Sequence, residues 1–232
     1  MCARSICRMR ELDIRRALRK YLKATFNSEP DTLFVEELGL CQGAARVDLA
    51  VINCAVHGYE IKSEQDTLER LSAQQTIYNK ALDTLTVVAT QRHIERIKGS
   101  APKWWGLTQA VSDGDTVTLI RLREATQNPN VDCFSLVQLL WSDEVFEILR
   151  RRGLEKGFSG KPRRILWARL VENIPSDEIG AIVRDQLRIR VRWRSVERRT
   201  PSDGLSRLFS KLSRSQDRPI GSRIGLCTDP PN

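Results

Sequence analysis

The chain has 232 residues, 41% hydrophobic and 29% charged, with 38 Lys+Arg against 29 Asp+Glu and a formal net charge of +9. These are globular proportions, enough to bury a core, so a wholly disordered chain is excluded. No apolar run reaches the roughly 18 residues of a membrane span, and the basic start, Met1 to Arg10, has no apolar stretch behind it, which argues against a secretory signal and for a cytoplasmic protein.

Taken in chain order, residues 9–26 place Ile14, Ala17, Leu18, Tyr21, Leu22 and Phe26 three or four apart, which predicts an amphipathic helix with an arginine-rich outer face. Asn27 to Asp31 ends it, Leu33 to Leu38 reads as a strand, and Gly39 to Gly43 as a turn. Residues 45–53 and 58–63 are two strands joined by a short loop, hence a hairpin. Asp66, with Glu69 three residues on, is expected to cap a helix over 67–82. Leu85 to Ala89 is a β-branched strand, Gln91 to Lys98 a short helix, and Val117 to Leu122 the last strand. Interleaving of this kind predicts an α/β fold. From about residue 125 the texture changes. Helices are expected over 133–152, 162–173 and 177–193, after a linker at Gln127 to Asn130. The expected organisation is an α/β domain over 1–126, a helical region over 131–195 and a basic, disordered tail over 196–232.

The six cysteines contain no C-x-x-C pair, and two histidines are too few for a zinc site of finger spacing, so the cysteines are read as reduced, mostly core-filling thiols. His57 is expected as a solvated side chain in the hairpin loop and His93 as a structural residue near a helix start. So placed, the two histidines support no Ser/His/Asp triad. Walker and dinucleotide-binding glycine loops are absent. The basic residues cluster, first between Arg4 and Lys23, then between Arg184 and Arg199, which favours nucleic acid as the partner.

The hairpin carries the chemistry. Strand alternation sets Arg46, Asp48 and Ala50 on one face and Val47, Leu49 and Val51 on the other, while Glu60 and Lys62 share a face opposite Tyr59 and Ile61. A loop centred on Cys54 makes Asp48 and Glu60 cross-strand neighbours, with Cβ atoms about 4.5–5.5 Å apart. Two carboxylates so close repel one another unless a cation sits between them. Mg²⁺ or Mn²⁺ meets that need, and Lys62 beside it suits phosphodiester hydrolysis. A surface hairpin holding an ordinary ion pair is the plainer alternative.

The pattern Asp48 … Glu60-Ile-Lys62 on a hairpin between two helices resembles the PD-(D/E)XK nuclease superfamily, and Gln74 with Tyr78 on the next helix resembles its RecB/Cas4-like branch. More narrowly, the stretch from Glu36-Glu-Leu-Gly through Arg46-Val-Asp-Leu-Ala, Gly58-Tyr-Glu-Ile-Lys-Ser and Asp66-x-Leu-x-Arg70-Leu to Gln74 and Tyr78 is similar to the bacterial sce7726 family. The likeness covers residues 33–107, including Trp104-Trp-Gly106, and continues more faintly to about 193. Val47 stands where the superfamily's name has Pro. The resemblance implies a restriction-endonuclease-like core, a mixed sheet flanked by helices, with an appended helical region. It also implies Asp48 and Glu60 as metal ligands, Glu37 as a third (Glu36 the second choice), and Lys62 as the catalytic lysine.

For Gln74 and Tyr78 two readings stay open, substrate contact or a core tyrosine beside a surface glutamine, with Gln75 as a substitute. Arg46 is expected either on a phosphate or paired with Glu60 or Asp48, Arg70 in a structural ion pair, and Trp104 and Trp105 in packing rather than on nucleobases. Residues 145–173 resemble a SAP-like DNA-contacting helix–turn–helix, with a plain helical bundle as the alternative. The expectation is a Mg²⁺-dependent nuclease acting on DNA in repair, recombination or defence. The rivals are a nuclease-fold DNA-binding or adaptor protein that cuts nothing and an RNA-directed enzyme.

Overall fold

In the computed structural model the described residues are 9–29, 31–114 and 116–197. The tail expected over 196–232 lies outside them, Val196 and Glu197 excepted. The first helix, α1 (Glu11–Thr25), begins with Glu11 and Asp13 in its first turn, where acids complement the helix dipole, and the Asp13 carboxylate accepts the Arg10 N–H. It buries Ile14, Leu18 and Leu22, four residues apart, but leaves Tyr21 at the surface, outside the apolar face predicted for it.

The sheet follows as a meander. Strands β1 (Leu33–Leu40), β2 (Ala45–Ile52) and β3 (Val56–Lys62) are antiparallel neighbours. Helix α2 (Glu69–Ala81) crosses over to β4 (Thr84–Thr90), parallel to β3, and α3 (Gln91–Ser100) leads to β5 (Gly106–Asp113), parallel to β4. An antiparallel β6 (Thr116–Arg123) completes a mixed six-stranded sheet in sequential order. The expected α/β fold, a mixed central sheet flanked by helices and followed by a helical C-terminal region, is what the chain forms.

Both sheet faces are apolar. Leu49, Val51, Ile61, Val88 and Ala110 pack against α1. Ala50, Ile52, Val56, Leu85 and Val87 pack on the other face against Leu71, Tyr78 and Leu82 of the α2 segment. Strict alternation along β2 fails, however, because Val47 joins the cluster of Ala50 while Leu49 joins the opposite one. The reversal straddles Asp48. On β1 the same reversal separates Val35 from Leu38, across Glu37, whose φ of 54° lies in the left-handed region. The expected division of β2 into one polar and one apolar face is thereby corrected.

The helical region comprises α4 (Cys133–Val137), α5 (Ser142–Arg151), α6 (Arg163–Asn173) and α7 (Ser176–Glu197). One helix was expected over 133–152. It is broken because the Glu144 carboxylate accepts the Trp141 N–H and starts α5 anew. Leu136, Leu149, Trp167, Leu170 and Leu187 continue the α2-side core, so sheet and helices share one hydrophobic cluster. Residues 127–130, expected as a linker, are fastened to the sheet domain: Asn128 is buried and its side-chain amide donates to the Asn79 and Leu82 carbonyls at 2.8 and 2.7 Å. Buried Glu144 receives Arg190, whose guanidinium lies 4.2 Å above the Trp141 ring.

Cys41 and Cys133 are free and half-buried, whereas Cys54, exposed at the hairpin tip, is disulfide-bonded. The reading of the cysteines as reduced core thiols is corrected to that extent. No helix among the described residues is long and apolar enough to cross a membrane.

Candidate functional site: an acidic row across three strands

The β1–β2 register sets Glu36 against Leu49 and Leu38 against Val47, bracketing Glu37 against Asp48. The β2–β3 register sets Leu49 against Tyr59, so one further step aligns Asp48 with Glu60. Three carboxylates thus come from adjacent positions on three neighbouring strands. Backbone pairing gives way at this point. Asp48 Oδ2 itself accepts the Ile61 N–H at 2.7 Å, taking the place of a ladder partner.

Glu60 is 3% exposed, with one donor on each carboxylate oxygen: Oε1 accepts from Lys62 Nζ at 2.7 Å, and Oε2 accepts from the Tyr78 hydroxyl at 2.8 Å. Lys62 lies two residues along the same strand, hence on the same side. Tyr78 reaches over from α2, with its hydroxyl also 3.0 Å from the Arg46 carbonyl and its ring 6.2 Å from that of Trp105. Glu37 holds a left-handed backbone that costs a non-glycine residue about 1–2 kcal/mol. Its carboxylate meets Arg15 at 2.9 Å and Arg46 at 2.7 Å.

The electrostatics follow from this crowding. Burial, then the neighbouring Glu60 charge, push the Asp48 carboxyl up to about 7, against the opposing pull of the Ile61 N–H and Arg15. The Tyr78 phenol is pushed up by burial and by Glu60, so it remains a hydrogen-bond donor at neutral pH. The row is therefore crowded with negative charge, with Arg15 the cation beside Asp48 and Lys62 the cation beside Glu60.

A model of the bacteriophage P4 protein cII family matches residues 6–208, across both the sheet and the helices. The chain belongs to that family. Protein cII of Enterobacteria phage P4 is 22% identical over 200 residues, covering 86% of this chain and 72% of the phage protein. Among solved structures, a protein of unknown function from Silicibacter pomeroyi is 17% identical, covering 67% of this chain and all of the other, with a TM-score of 0.39.

In this cII-family protein the predicted residues Asp48, Glu60, Lys62 and Tyr78 meet at one place. Tyr78 is fully buried beside Leu71 and Leu82, as the core reading expected, and its hydroxyl in addition donates to Glu60 and so positions an acid. Gln74, one turn earlier on α2, has a buried Oε1 without a partner among the described residues, whereas Gln75 lines a separate cleft with Ser72, Arg96 and Trp105. The Arg46 guanidinium turns to Glu37 rather than to Asp48 or Glu60, and Glu36 pairs with Arg19 at 2.6 Å. Arg70 is exposed and makes no ion pair among the described residues, contrary to expectation. Trp104 and Trp105 are buried packing residues.

Asp66 accepts both the Ser63 N–H and hydroxyl, tying the loop before α2 instead of capping the helix. His57 is not in the loop but on β3, with both ring nitrogens bonded, to Thr84 Oγ1 and Asn53 Oδ1, and burial lowers its pKa. His93 opens α3 and bonds the Ser63 carbonyl. The residue that sequence reasoning missed is Arg15. It was assigned to the solvent face of α1, yet its side chain is only 13% exposed and reaches Glu37 and Asp48. The usable signal was its spacing, four residues after Glu11 and directly beside buried Ile14.

Proposed function

We propose that this chain is a divalent-metal-dependent nuclease acting in the cytoplasm on nucleic acid, DNA in the first instance. The observation that carries the reading is the facing of Asp48 and Glu60, with Lys62 Nζ 2.7 Å from Glu60. Hard divalent cations take such carboxylate oxygens. Each oxygen of Asp48 and Glu60 has one neighbour in reach, leaving a lone pair on each. These two residues fit a Mg²⁺ or Mn²⁺ ion. Glu37 fits less well, both its oxygens being taken by arginines, and no group of three His, Cys, Asp or Glu side chains among the described residues is set to hold a metal.

When bound, such an ion supplies charge for the phosphate and a more acidic water. The protein's own groups do the remainder. Lys62 places an ammonium beside the acids, where it stabilises charge developing on phosphate oxygens. Tyr78 keeps Glu60 in its rotamer through the hydrogen bond from its hydroxyl. Away from the acids, exposed Lys156, Lys161, Arg163 and Arg164 lie between α5 and the first turn of α6, and no ion pair is formed by any of them among the described residues. That turn contains no acid. Such a surface suits a polyanion backbone, bound through counterion release.

The satisfied state of Glu37 favours a second reading, a nuclease-fold DNA-binding or adaptor protein without cleavage. Labelled single- and double-stranded DNA incubated with Mg²⁺, Mn²⁺ or EDTA separates the two. Ion-dependent cleavage is expected, and Lys62→Gln, which keeps a donor for Glu60, should lose about 100-fold or more in rate while retaining DNA affinity. Binding with no cleavage under any ion would leave the adaptor reading standing.

A further inference from the structure

The Arg15 guanidinium contacts four acceptors: Glu11 Oε1 at 2.6 Å, Glu37 Oε1 at 2.9 Å, the Asp48 carbonyl at 3.1 Å and Asp48 Oδ1 at 3.4 Å. Three of these are carboxylates, supplied by α1, β1 and β2. Helix packing does not require a cation there, because Ile14, Leu18 and Leu22 already dock α1 on the sheet. The contacts are also graded. Two are tight, to Glu11 and Glu37, and the one to the Asp48 carboxylate is long. Glu37 is brought to its place by a left-handed backbone turn, so the tight anchor is built at a conformational cost.

We propose that Arg15 is the resident counter-ion of the acidic row, neutralising Asp48 until a divalent cation displaces it from that carboxylate while it stays anchored on Glu11 and Glu37. The inference rests on the metal-dependent reading above. Its physical content is competition: a positive charge held next to Asp48 repels an incoming cation and raises the concentration at which the site fills. Arg15 is thus a positioning residue that sets a threshold for metal loading, and the anchor at Glu37 decides where the guanidinium rests once Asp48 is given up.

Calorimetric titration of the full chain with Mn²⁺ tests this without any cleavage readout. Arg15→Gln, which removes the charge and keeps a shorter polar side chain, should bind Mn²⁺ about tenfold more tightly than the wild type. Arg15→Lys, which keeps the charge on a group unable to bridge three acids, should fall between them. In thermal melts, Arg15→Gln should be the less stable protein in EDTA and gain more from Mn²⁺. Equal or weaker Mn²⁺ binding by folded Arg15→Gln would overturn the role of Arg15 and leave the metal-dependent reading intact. No Mn²⁺ binding by either protein would overturn both. If Arg15→Gln folds only when Mn²⁺ is present, the proposal is supported. If it does not fold at all, Arg15→Lys decides, with tighter binding than wild type in favour and unchanged binding against.

Discussion

At the scale of single residues, the Asp48 carboxylate shows how placement sets chemistry. Its carboxyl is raised from 3.8 to about 7, so the folded state holds that proton more tightly than the unfolded chain does. The resulting stabilisation is complete below about pH 4 and is lost as pH rises through about 7. In EDTA, Asp48→Asn should therefore be more stable than wild type at about pH 8, by up to about 4 kcal/mol, with the gap closing near pH 4. Denaturant titrations at the two pH values would show it, and an unchanged or reversed gap would contradict the buried-charge account. Asp48, Glu60 and Lys62 were legible in the sequence because a hairpin's midpoint fixes its register, and register fixes which side chains meet. Arg15 and the turn at Glu37 were not, because they depend on a helix docking onto strands 22 and 33 residues away.

At the scale of elements, most helices and strands follow from periodicity, and the failures have separate causes. Strand β5 reads Gly-Leu-Thr-Gln-Ala-Val-Ser-Asp, without apolar alternation, and it is a strand because β4 and β6 pair with it on both sides. The reversal of faces along β2 was invisible for a related reason, since it depends on a backbone angle in the neighbouring strand. The break before α5 had a local signal, Glu144 placed to accept the N–H three residues back, which continuous apolar content obscured. The contact of β3 with the end of α2 can be probed directly. A Cβ at Gly58 would come 2.6 Å from Leu82 Cδ1 and 3.1 Å from Leu85 Cδ1. Gly58→Ala should therefore cost about 1–3 kcal/mol through overpacking, read as a lower denaturation midpoint at unchanged slope. A neutral result would show that the two leucines repack freely.

At the scale of the molecule, the helical region expected over 131–195 shares a single core with the sheet, running from Ala50 and Leu85 through Leu136 to Leu187, as a bundle bracing the sheet would. Composition can mark where texture changes, but not whether the two textures bury one another. A chain ending after Asn130 would expose the apolar side of α2 and lose the partners of Tyr78's cluster. It should give no cooperative thermal transition by circular dichroism, whereas the full chain should give one. Two separate transitions in the full chain would argue against a shared core. The same architecture holds the acids from both sides of the sheet, Arg15 arriving from α1 and Tyr78 from α2. A nascent or clipped chain in which either helix has not docked lacks one of these two side-chain partners, so the row takes this arrangement only once chain synthesis has passed α2 and both helices are seated.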